Sequence, residues 1–342
     1  MSKVTIKTVA EHAGVSTATV SRALSGTGTV SPELRRAVTK AAEKLGYSGN
    51  AVASALRSSR TNTIGMVIPE IANPFMTALV QEVEQALHQH GIQLLLCNSH
   101  QDPSHERRAL TSLIARKVDG LIVCPVDTAS SFAAVQAAAR SVPVVQVDQQ
   151  IEGLNADWVG INDETAMRLI VEHLTSLNVV SAAFIGSKEN DSSSKARLNA
   201  FLLHAASAGI AVATEHIFLD RYSVDCGRES MERLIRSGPL PDALVCAADI
   251  IAVGALQACH AENLSIPGDL IITGFDDIEF ANLCTPRLTT VRQPLKAIAK
   301  HAVDILRTAH TEQEHAAVQL ALSPTLVVRE SSRGEEPSEA TS

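Results

Sequence analysis

Side chains that are mostly polar recur just after apolar, strand-like runs in the second part of the chain. The set comprises Asn73, Phe75, Met76, Asp148, Arg197, Asp276 and Gln293. Ligands of open α/β sheets bind beyond the carboxyl ends of the strands, so these positions are candidates for one shared site. Carboxylates, amides and an Arg can exchange hydrogen bonds with the hydroxyl groups of a small polyhydroxylated molecule, whose apolar face would rest on Phe75. The set therefore predicts a site for a small molecule of this kind.

Each of these residues also has a simpler explanation when it is taken alone. Asp148 or Asp276 can cap a turn, and an isolated Arg197 is more typical of a solvated surface. If both are buried, we expect Arg197 and Asp276 to pair through the ligand or with each other, because an unpaired buried charge is costly.

Motifs for catalysis or metal binding are absent from the sequence. No Ser-His or Cys-His nucleophile pattern accompanies these residues, and no Gly-x-Ser-x-Gly elbow occurs. The His and Cys residues form no His-Glu-x-x-His or Cys-x-x-Cys pattern, and neither a complete Gly-x-Gly-x-x-Gly nor a P-loop is present. We therefore expect no enzymatic activity and no metal, nucleotide or covalent cofactor. Cys97, Cys124 and Cys246 lie in apolar runs and are predicted to be buried free thiols.

From Thr63 onwards, apolar runs alternate with amphipathic segments. These are the elements that must position the polar set. In a first set, strands are predicted at 64–68, 92–97, 120–124 and 142–147, with helices near 74–90, 103–116 and 129–140. In a second set, strands are predicted at 180–185, 217–219, 243–246 and 270–274, with helices near 192–208, 225–236 and 249–262. This alternation is typical of an α/β fold with helix-covered parallel sheets, here in two lobes. Candidate crossovers between the lobes are 149–162 and 286–296.

An all-α head is predicted for residues 1–48. The apolar stripe of its first helix is formed by Ile6, Val9, Ala10 and Ala13. Gly14 is placed to end this helix in a left-handed conformation. The second helix is predicted to begin after Ser16 as its N-cap and to bury Val20 together with Leu24.

A third helix is predicted between Ser31, as its N-cap, and Gly46, so that three helices share one small core. The outward residues of the second helix are Thr17, Ala18, Ser21 and Arg22. Small side chains let a helix lie deep in the major groove of DNA, and the guanidinium of Arg22 can pair bidentately with guanine. A helix-turn-helix reader of DNA is the prediction, and a purely structural helical hairpin is the alternative.

The distribution of charge favours the DNA reader. Residues 1–60 carry nine Lys or Arg and three acids, a net charge of +6, whereas the whole chain carries −8. The remaining residues therefore carry −14. A basic head on an acidic body is typical of a module that contacts DNA phosphates.

Residues 49–62 are predicted to form a hinge helix and linker. The run from Asn50 to Ser58 is rich in helix formers but too short to be a stable helix by itself. Residues 63–330 are predicted to form the body. Residues 331–342 form a predicted disordered tail, because the run from Glu330 onwards consists largely of Ser, Glu, Pro and Thr.

Composition sets the remaining bounds. With 342 residues, 45% of them hydrophobic, the chain is long enough for two or three domains. It contains no run of about 18 apolar residues and no secretory signal, so we expect a cytoplasmic protein that does not contact a membrane.

Several motifs, in order, resemble the lactose-repressor (LacI/GalR) family of bacterial transcriptional regulators, and the likeness extends to about residue 330. The motifs of the head are Val9-Ala10, Gly14-Val15-Ser16, Thr19-Val20-Ser21-Arg22, Leu45-Gly46-Tyr47 and Asn50 to Leu56. The resemblance implies a helix-turn-helix head, a hinge helix and a two-lobed body with the fold of periplasmic sugar-binding proteins. The residues implied to contact DNA are Thr5, Ser16, Thr17, Ala18, Thr19, Ser21, Arg22, Ser31, Tyr47, Asn50, Ala53 and Leu56.

The resemblance also implies the partners. A homodimer would read a palindromic operator in double-stranded DNA, with one half-site per head. The hinge segments of two subunits would pair as helices on DNA, and Leu56 would wedge into the minor groove. The polar set of the body would line a cleft for a small-molecule effector. Since no C-terminal Leu heptad is present, a dimer is favoured over a tetramer.

The chain departs from the family pattern at three places. Gly49 stands where Pro is usual, Ala248 stands where Asn usually precedes Asp249, and Ala200 replaces the Gly before Phe201. Without the Asn amide, the effector of any one relative is not transferable, and the remaining set favours a sugar of pentose type. The predicted function is a transcriptional repressor whose operator affinity is controlled by a sugar or sugar-derived effector. The alternative is a cytoplasmic sugar-binding module without DNA function.

Overall fold

The computed structural model describes residues 4–25, 30–47, 60–188, 190–309 and 315–333. It divides into two compact units, Met1–Asn62 and Thr63–Ser342. The predicted hinge helix, with Asn50, Ala53 and Leu56, lies outside the described residues, as do residues 334–342 of the predicted tail.

Three helices lie in the described residues of the head unit. They are α1 Ile6–Ala13, α2 Thr17–Ser25 and α3 Pro32–Leu45. Gly14 and Gly46 end α1 and α3 in the left-handed conformation, with φ of 65° and 62°, as predicted. The hydroxyl groups of Ser16 and Ser31 accept backbone N–H groups from the first turns of α2 and α3, at 3.1 and 3.3 Å. Both predicted N-caps are therefore confirmed.

The core of the head contains Val9, Ala10, Val20, Ala23, Val38, Ala41 and Ala42. Leu24 is 40% exposed, so the prediction that it is buried with Val20 is wrong. Ala23 takes its place, because residues three apart also share a helix face. The small side chain of Ala23 lets α2 approach its neighbours closely.

The first lobe of the body is built on a parallel sheet. Its strands are β1 Thr63–Ile68, β2 Gln93–Asn98, β3 Gly120–Val123, β4 Val144–Val147, β5 Asp157–Ile161 and β11 Gln319–Leu322. They lie in the order β11-β5-β4-β3-β1-β2. The helices of this lobe are α4 Pro74–His88, α5 Pro103–Ala115, α6 Phe132–Ala139 and α12 Leu295–Ala309. Buried Val, Leu, Ile and Met side chains fill the space between the sheet and the helices.

The second lobe repeats this arrangement on a smaller scale. Its strands are β6 Ala182–Ser187, β7 Ile217–Asp220, β8 Ala243–Cys246 and β9 Ile271–Thr273. They are parallel and lie in the order β7-β6-β8-β9. The helices are α7 Asp163–Ser176, α8 Ser192–Ala208, α9 Val224–Arg236, α10 Asp249–Ala261, α11 Glu279–Leu283 and α13 Glu330–Arg333. The predicted α/β class with two lobes is confirmed.

In the described part of the chain, three segments cross between the lobes. The first is Asn162, which separates β5 from α7, and the other two are β10 Thr290–Arg292 and β12 Thr325–Val327. β10 and β12 pair in an antiparallel ribbon, and the N–H of Asn162 donates to the carbonyl of Leu322, just before β12, at 2.9 Å. The three crossovers therefore lie side by side. The predicted crossover 286–296 is confirmed, but most of 149–162 belongs to the first lobe, since it contains β5.

The end of the described chain corrects the prediction for the tail. The helix α13 includes Ser331 and Ser332, which are 0% and 3% exposed. The hydroxyl of Ser331 donates to the carbonyl of Ile272 at 2.6 Å and accepts the N–H of Thr289 at 2.8 Å. Residues predicted as disordered from their polar composition are thus ordered, because their hydroxyl groups bond to backbone groups of the second lobe.

The helices α9 and α10 approach so closely that their backbones are in contact. A Cβ atom on Gly227 would lie 1.9 Å from the carbonyl oxygen of Ile251, and one on Gly254 would lie 1.9 Å from that of Val224. No side chain fits at either position without separating the helices. Two glycines therefore set the distance between α9 and α10.

Candidate functional site

A cavity of about 210 Å³ lies between the two lobes at the carboxyl ends of their strands. Its lining includes six of the seven predicted binding residues, namely Asn73, Phe75, Met76, Asp148, Arg197 and Asp276. The seventh, Gln293, is buried, and its amide donates to Oδ1 of Asp276 at 2.8 Å. The structure therefore brings the whole predicted set together, as expected for residues that follow parallel strands. Their contact with a ligand stays a prediction.

The wall contributed by α4 serves both packing and the cavity. Asn73 is the N-cap of α4, and its Oδ1 accepts the N–H of Phe75 at 3.0 Å. Phe75 and Met76 line the cavity, yet each is only 4% exposed and packs in the core of the first lobe. This wall is thus rigid, and the amide nitrogen of Asn73 is the group that remains for a ligand.

Two carboxylates face the cavity from strained backbone positions. Asp148 follows β4 with φ of 61°, and Asp276 follows β9 with φ of 109°. A left-handed conformation costs a non-glycine residue about 1 to 2 kcal/mol. The indole N–H of Trp158 donates to the backbone carbonyl of Asp148 at 3.2 Å and helps to hold this turn. Strain that is held by its surroundings is typical of binding sites.

Arg197 lies at the centre of a buried ion network and is 3% exposed. Its Nε donates to Oδ1 of Asp163 at 2.9 Å, its Nη1 donates to the carbonyl of Ala247 at 2.8 Å, and its Nη2 lies 3.8 Å from Oδ1 of Asp148. Its Cζ lies 3.7 Å from the centroid of the Phe275 ring, a cation–π contact. Asp163 at the start of α7 is thus the direct partner of Arg197, and the predicted pairing of Arg197 with Asp276 through a ligand stays a prediction.

Burial raises the pKa of the carboxyl groups in this network. The pKa of Asp148 rises to about 7, since burial outweighs the opposing charge of Arg197 and Asp191 adds repulsion. Burial also raises the pKa of Asp276 well above its usual range, and it raises the pKa of Asp163 and Asp191. The guanidinium of Arg197 is thus the positive charge that acts on all four carboxyl groups. Near neutral pH, part of this set is protonated and can donate as well as accept hydrogen bonds.

These shifts predict that the ligand-free body loses stability as pH rises from about 4 to about 7. The folded state holds the proton of Asp148 up to a pKa of about 7, whereas the unfolded state releases it near 3.8. Between these values the folded state binds more protons, so its stability falls with pH, by up to about 1.4 kcal/mol per pH unit for one such group. Urea unfolding from pH 4.5 to 8 measures the slope. Asp148→Asn should make the slope shallower, and an unchanged slope would contradict the assignment.

Several polar residues of the cavity were not predicted from the sequence, among them Gln149, Asp191 and Tyr222. Tyr222 donates through its hydroxyl to Oδ1 of Asp191 at 3.3 Å, and Asp191 caps α8. Both residues follow strands, β7 and β6, so the rule applied to the other positions would have found them. Gln149 was overlooked beside the charged Asp148.

Asp249, which follows Ala248, bonds within the protein. Asp249 is fully buried, accepts the hydroxyl of Thr290 at 2.6 Å, and accepts the N–H of Ile278 at 2.9 Å. It therefore bonds within the second lobe, where it joins α10 to the β10 crossover. The apolar Ala248 offers no hydrogen bond to a ligand.

The head presents most of the predicted DNA contacts on its surface. Exposed side chains are those of Thr5, Ser16, Thr17, Ala18, Arg22 and Ser31, and half-buried ones are those of Thr19, Ser21 and Tyr47. The Nε of Arg22 donates to the carbonyl of Ala18 at 3.3 Å, so the guanidinium lies along the exposed face of α2. This face has the small side chains and the Arg that reading a major groove requires. Contact with DNA stays a prediction for each residue.

Among the residues described, no group of three or more His, Cys, Asp or Glu is placed to hold a metal ion. In the same part of the chain, every helix is too short or too polar to span a bilayer.

Both units match known protein families. Residues 5–50 match the bacterial regulatory proteins of the lacI family, and residues 171–332 match a periplasmic binding protein-like domain. Among solved structures, the Lac repressor dimer bound to operator and the anti-inducer ONPF is similar with a TM-score of 0.85 and 26% identity, over 96% of this chain and 99% of that chain. A complex of the transcriptional regulator CelR with cellobiose is similar with a TM-score of 0.73 and 27% identity, over 96% and 99%.

Several bacterial transcriptional regulators are similar in sequence to this chain over nearly their whole length. The transcriptional regulator DegA of Bacillus subtilis is 32% identical over 96% of this chain and 98% of the relative. The repressor PurR of Haemophilus influenzae is 30% identical over the same shares, and the ribose operon repressor of Escherichia coli is 30% identical over 95% and 98%. These relatives are regulators rather than enzymes. The chain therefore belongs to the LacI family of bacterial DNA-binding transcriptional regulators.

Proposed function

We propose that the chain is a homodimeric repressor that reads a palindromic operator and whose operator affinity is set by an uncharged polyhydroxylated effector, a sugar of pentose type. The observation that carries this proposal is the cavity between the lobes. Its buried carboxyl and amide groups surround Arg197, whose Nε and Nη1 are already bonded within the protein, and this set suits a ligand with several hydroxyl groups. The effector changes operator affinity through its different affinity for the open and closed arrangements of the lobes.

The charge of the cavity supports an uncharged effector. Its lining has six acids, Glu70, Asp127, Asp148, Asp191, Asp220 and Asp276, and three basic residues, Lys188, Arg197 and Arg221. The guanidinium of Arg197 is already bonded to Asp163 and Ala247. With the pKa of Asp148 near 7 and that of Asp276 raised well above its usual range, the lining has no excess of positive charge near neutral pH to neutralise a phosphate group, so phosphorylated sugars are disfavoured. The similarity to the ribose operon repressor and to the CelR complex with cellobiose adds support for the sugar class.

A ligand screen tests the effector. Pentoses, hexoses, polyols, nucleosides, purine bases and sugar phosphates are compared by the rise in unfolding temperature of the full chain. Trp158 is the only Trp, and it donates to Asp148, so its fluorescence reports binding directly. We expect an uncharged pentose to bind and its phosphate not to bind. Binding of a purine base or a sugar phosphate alone would overturn the proposed effector class.

The proposed DNA-reading role of the head predicts that Arg22→Ala weakens operator binding. The operator is first selected from a random DNA library with the full chain. Loss of the bidentate guanine contact should weaken operator binding by about 10- to 100-fold, while binding to random DNA falls much less. Fluorescence anisotropy with both DNAs at several salt concentrations measures the two affinities.

Arg36→Ala is the matched control, because Arg36 is an exposed Arg of the same head but lies on α3. It removes the same charge and should lower both affinities by a similar small factor. If the two variants behaved alike, Arg22 would have no reading role. If the library yielded no enriched sequence, the proposal of an operator-binding repressor would fail.

A further inference from the structure

The two lobes are bonded to each other along one edge of the cavity. The amide nitrogen of Gln149, next to Asp148 in the first lobe, donates to Oδ2 of Asp191 in the second lobe at 3.0 Å. The neighbouring N–H of Gln150 donates to Oγ of Ser192 at 3.0 Å. Asp191 is held in place as the N-cap of α8, where its Oδ1 accepts the N–H of Ser194 at 2.8 Å. The side chain of Gln149 thus ties the end of β4 to the helix that carries Arg197.

The other half of the Gln149 amide has no such bond. Gln149 is 4% exposed, lines the cavity, and its Oε1 is buried without a hydrogen-bond partner among the described residues. Leaving a buried acceptor unsatisfied costs about 1 to 3 kcal/mol, so such a group calls for an explanation.

The orientation of the amide follows from Asp191. The Oδ1 of Asp191 already accepts from Ser194 and Tyr222, and its Oδ2 is the acceptor that faces Gln149. An ionised Asp191 can only accept, so Gln149 presents its NH2 group to it, and the carbonyl oxygen is the half of the amide left for a further partner. A ligand with a hydroxyl or N–H group in that position would complete the bonding of Gln149.

We propose that Gln149 is a specificity residue that links ligand binding to closure of the lobes. Its carbonyl oxygen accepts a hydrogen bond from one hydroxyl group of the ligand, while its NH2 group holds Asp191 of the opposite lobe. The ligand thereby strengthens the orientation of the amide in which Gln149 joins the two lobes. This inference rests on the proposed binding of a hydroxylated effector in the cavity.

The test uses the full chain with Gln149→Met and, as a matched control, Gln150→Met. Met keeps the length of Gln without its donor and acceptor. Gln150 does not line the cavity, and its side chain donates to Gln319 at 2.6 Å. The first measurement is acrylamide quenching of Trp158 in the ligand-free proteins. We expect Gln149→Met to open this edge and increase quenching, whereas Gln150→Met leaves it near the wild-type value.

The second measurement is calorimetric titration with D-ribose and its monodeoxy analogues. Wild type should lose about 10-fold in affinity for one deoxy analogue, the one that lacks the hydroxyl facing Gln149. Gln149→Met should bind D-ribose about 10-fold more weakly than wild type and lose nothing further with that analogue. A residue with a merely structural role would lower affinity equally for every analogue, and that result would overturn the inference.

The two measurements separate failure of this inference from failure of the proposed function. If wild type bound no sugar, the proposed effector class would fail. The quenching comparison would still test whether the Gln149 amide holds the two lobes together. Equal quenching of Gln149→Met and Gln150→Met overturns the inference in either case. Should Gln149→Met fold poorly, Gln149→Glu replaces it, because a carboxylate keeps the acceptor but repels Asp191 and should also increase quenching.

Discussion

Replacing Arg197 with Met is expected to abolish effector binding and to lower the free energy of unfolding of the body by about 3 to 5 kcal/mol. The guanidinium is buried and bonds to Asp163 and to the carbonyl of Ala247. Its loss leaves the buried carboxyl groups without a counter-charge, and removing one partner of a buried pair costs far more than the pair itself contributes. Urea unfolding at pH 7.5 and titration with D-ribose measure the two effects.

The matched control is Arg168→Met. Arg168 pairs with Glu172 at 2.6 Å on the surface of α7, where the two side chains are 42% and 58% exposed. A solvent-exposed pair of this kind contributes at most about 0.5 kcal/mol. Arg197→Lys should fall between the two, since Lys keeps the charge but lacks the planar fork. If Arg197→Met unfolded at the same urea concentration as Arg168→Met, the network would not stabilise the body.

The decrease in the free energy of unfolding caused by Arg197→Met should also be smaller at acidic pH. Without the guanidinium, burial raises the carboxyl pKa values further, so the folded state of the variant requires their protons. Stability of such a state falls as pH rises through that range, which makes the difference from wild type larger at pH 7.5 than at pH 5.

Gly254→Ala is expected to destabilise the second lobe by about 3 kcal/mol. The added Cβ would lie 1.9 Å from the carbonyl oxygen of Val224 and 2.7 Å from the nitrogen of Arg228, both backbone atoms that cannot rotate away. The helices α9 and α10 must therefore separate, and the apolar core between them loses contact. Thermal and urea unfolding of the full chain measure the effect.

Gly268→Ala is the control for this substitution. Its Cβ would approach mainly the Ser265 side chain, with Oγ at 2.8 Å, and that hydroxyl can rotate. A change within about 0.5 kcal/mol is expected. If Gly254→Ala were equally mild, the close approach of the two helices would not be a requirement of the fold.

Local signals predicted much of this structure from the sequence. The helix predicted near 192–208 has those bounds in the structure, and the predicted caps Gly14, Ser16, Ser31 and Gly46 are confirmed. Caps and periodic apolar residues act within one turn of the chain, so they are visible in a single sequence. The cavity residues were also predicted together, because parallel strands place their carboxyl ends on the same edge.

Features that depend on distant partners could not be predicted in this way. The strand β5 begins with Asp157, a charged residue that is 3% exposed. Its carboxylate accepts the N–H of Val318 at 2.8 Å and lies 2.8 Å from the ring of His315. No local pattern shows that these residues, more than 150 positions later, will satisfy it. Since β5 was missed, Asp163 just beyond it was missed too, and with it the true partner of Arg197.

The three adjacent crossovers have a mechanical consequence. Two rigid bodies joined by one flexible segment can swing and twist about every axis, but three strands bonded side by side resist twisting and shear. The pairing of β10 with β12, and the bond from Asn162 to Leu322, leave bending across this strip as the soft motion. The relative motion of the lobes is thus restricted mainly to bending across this strip. This restriction lowers the conformational entropy that closing the lobes would cost.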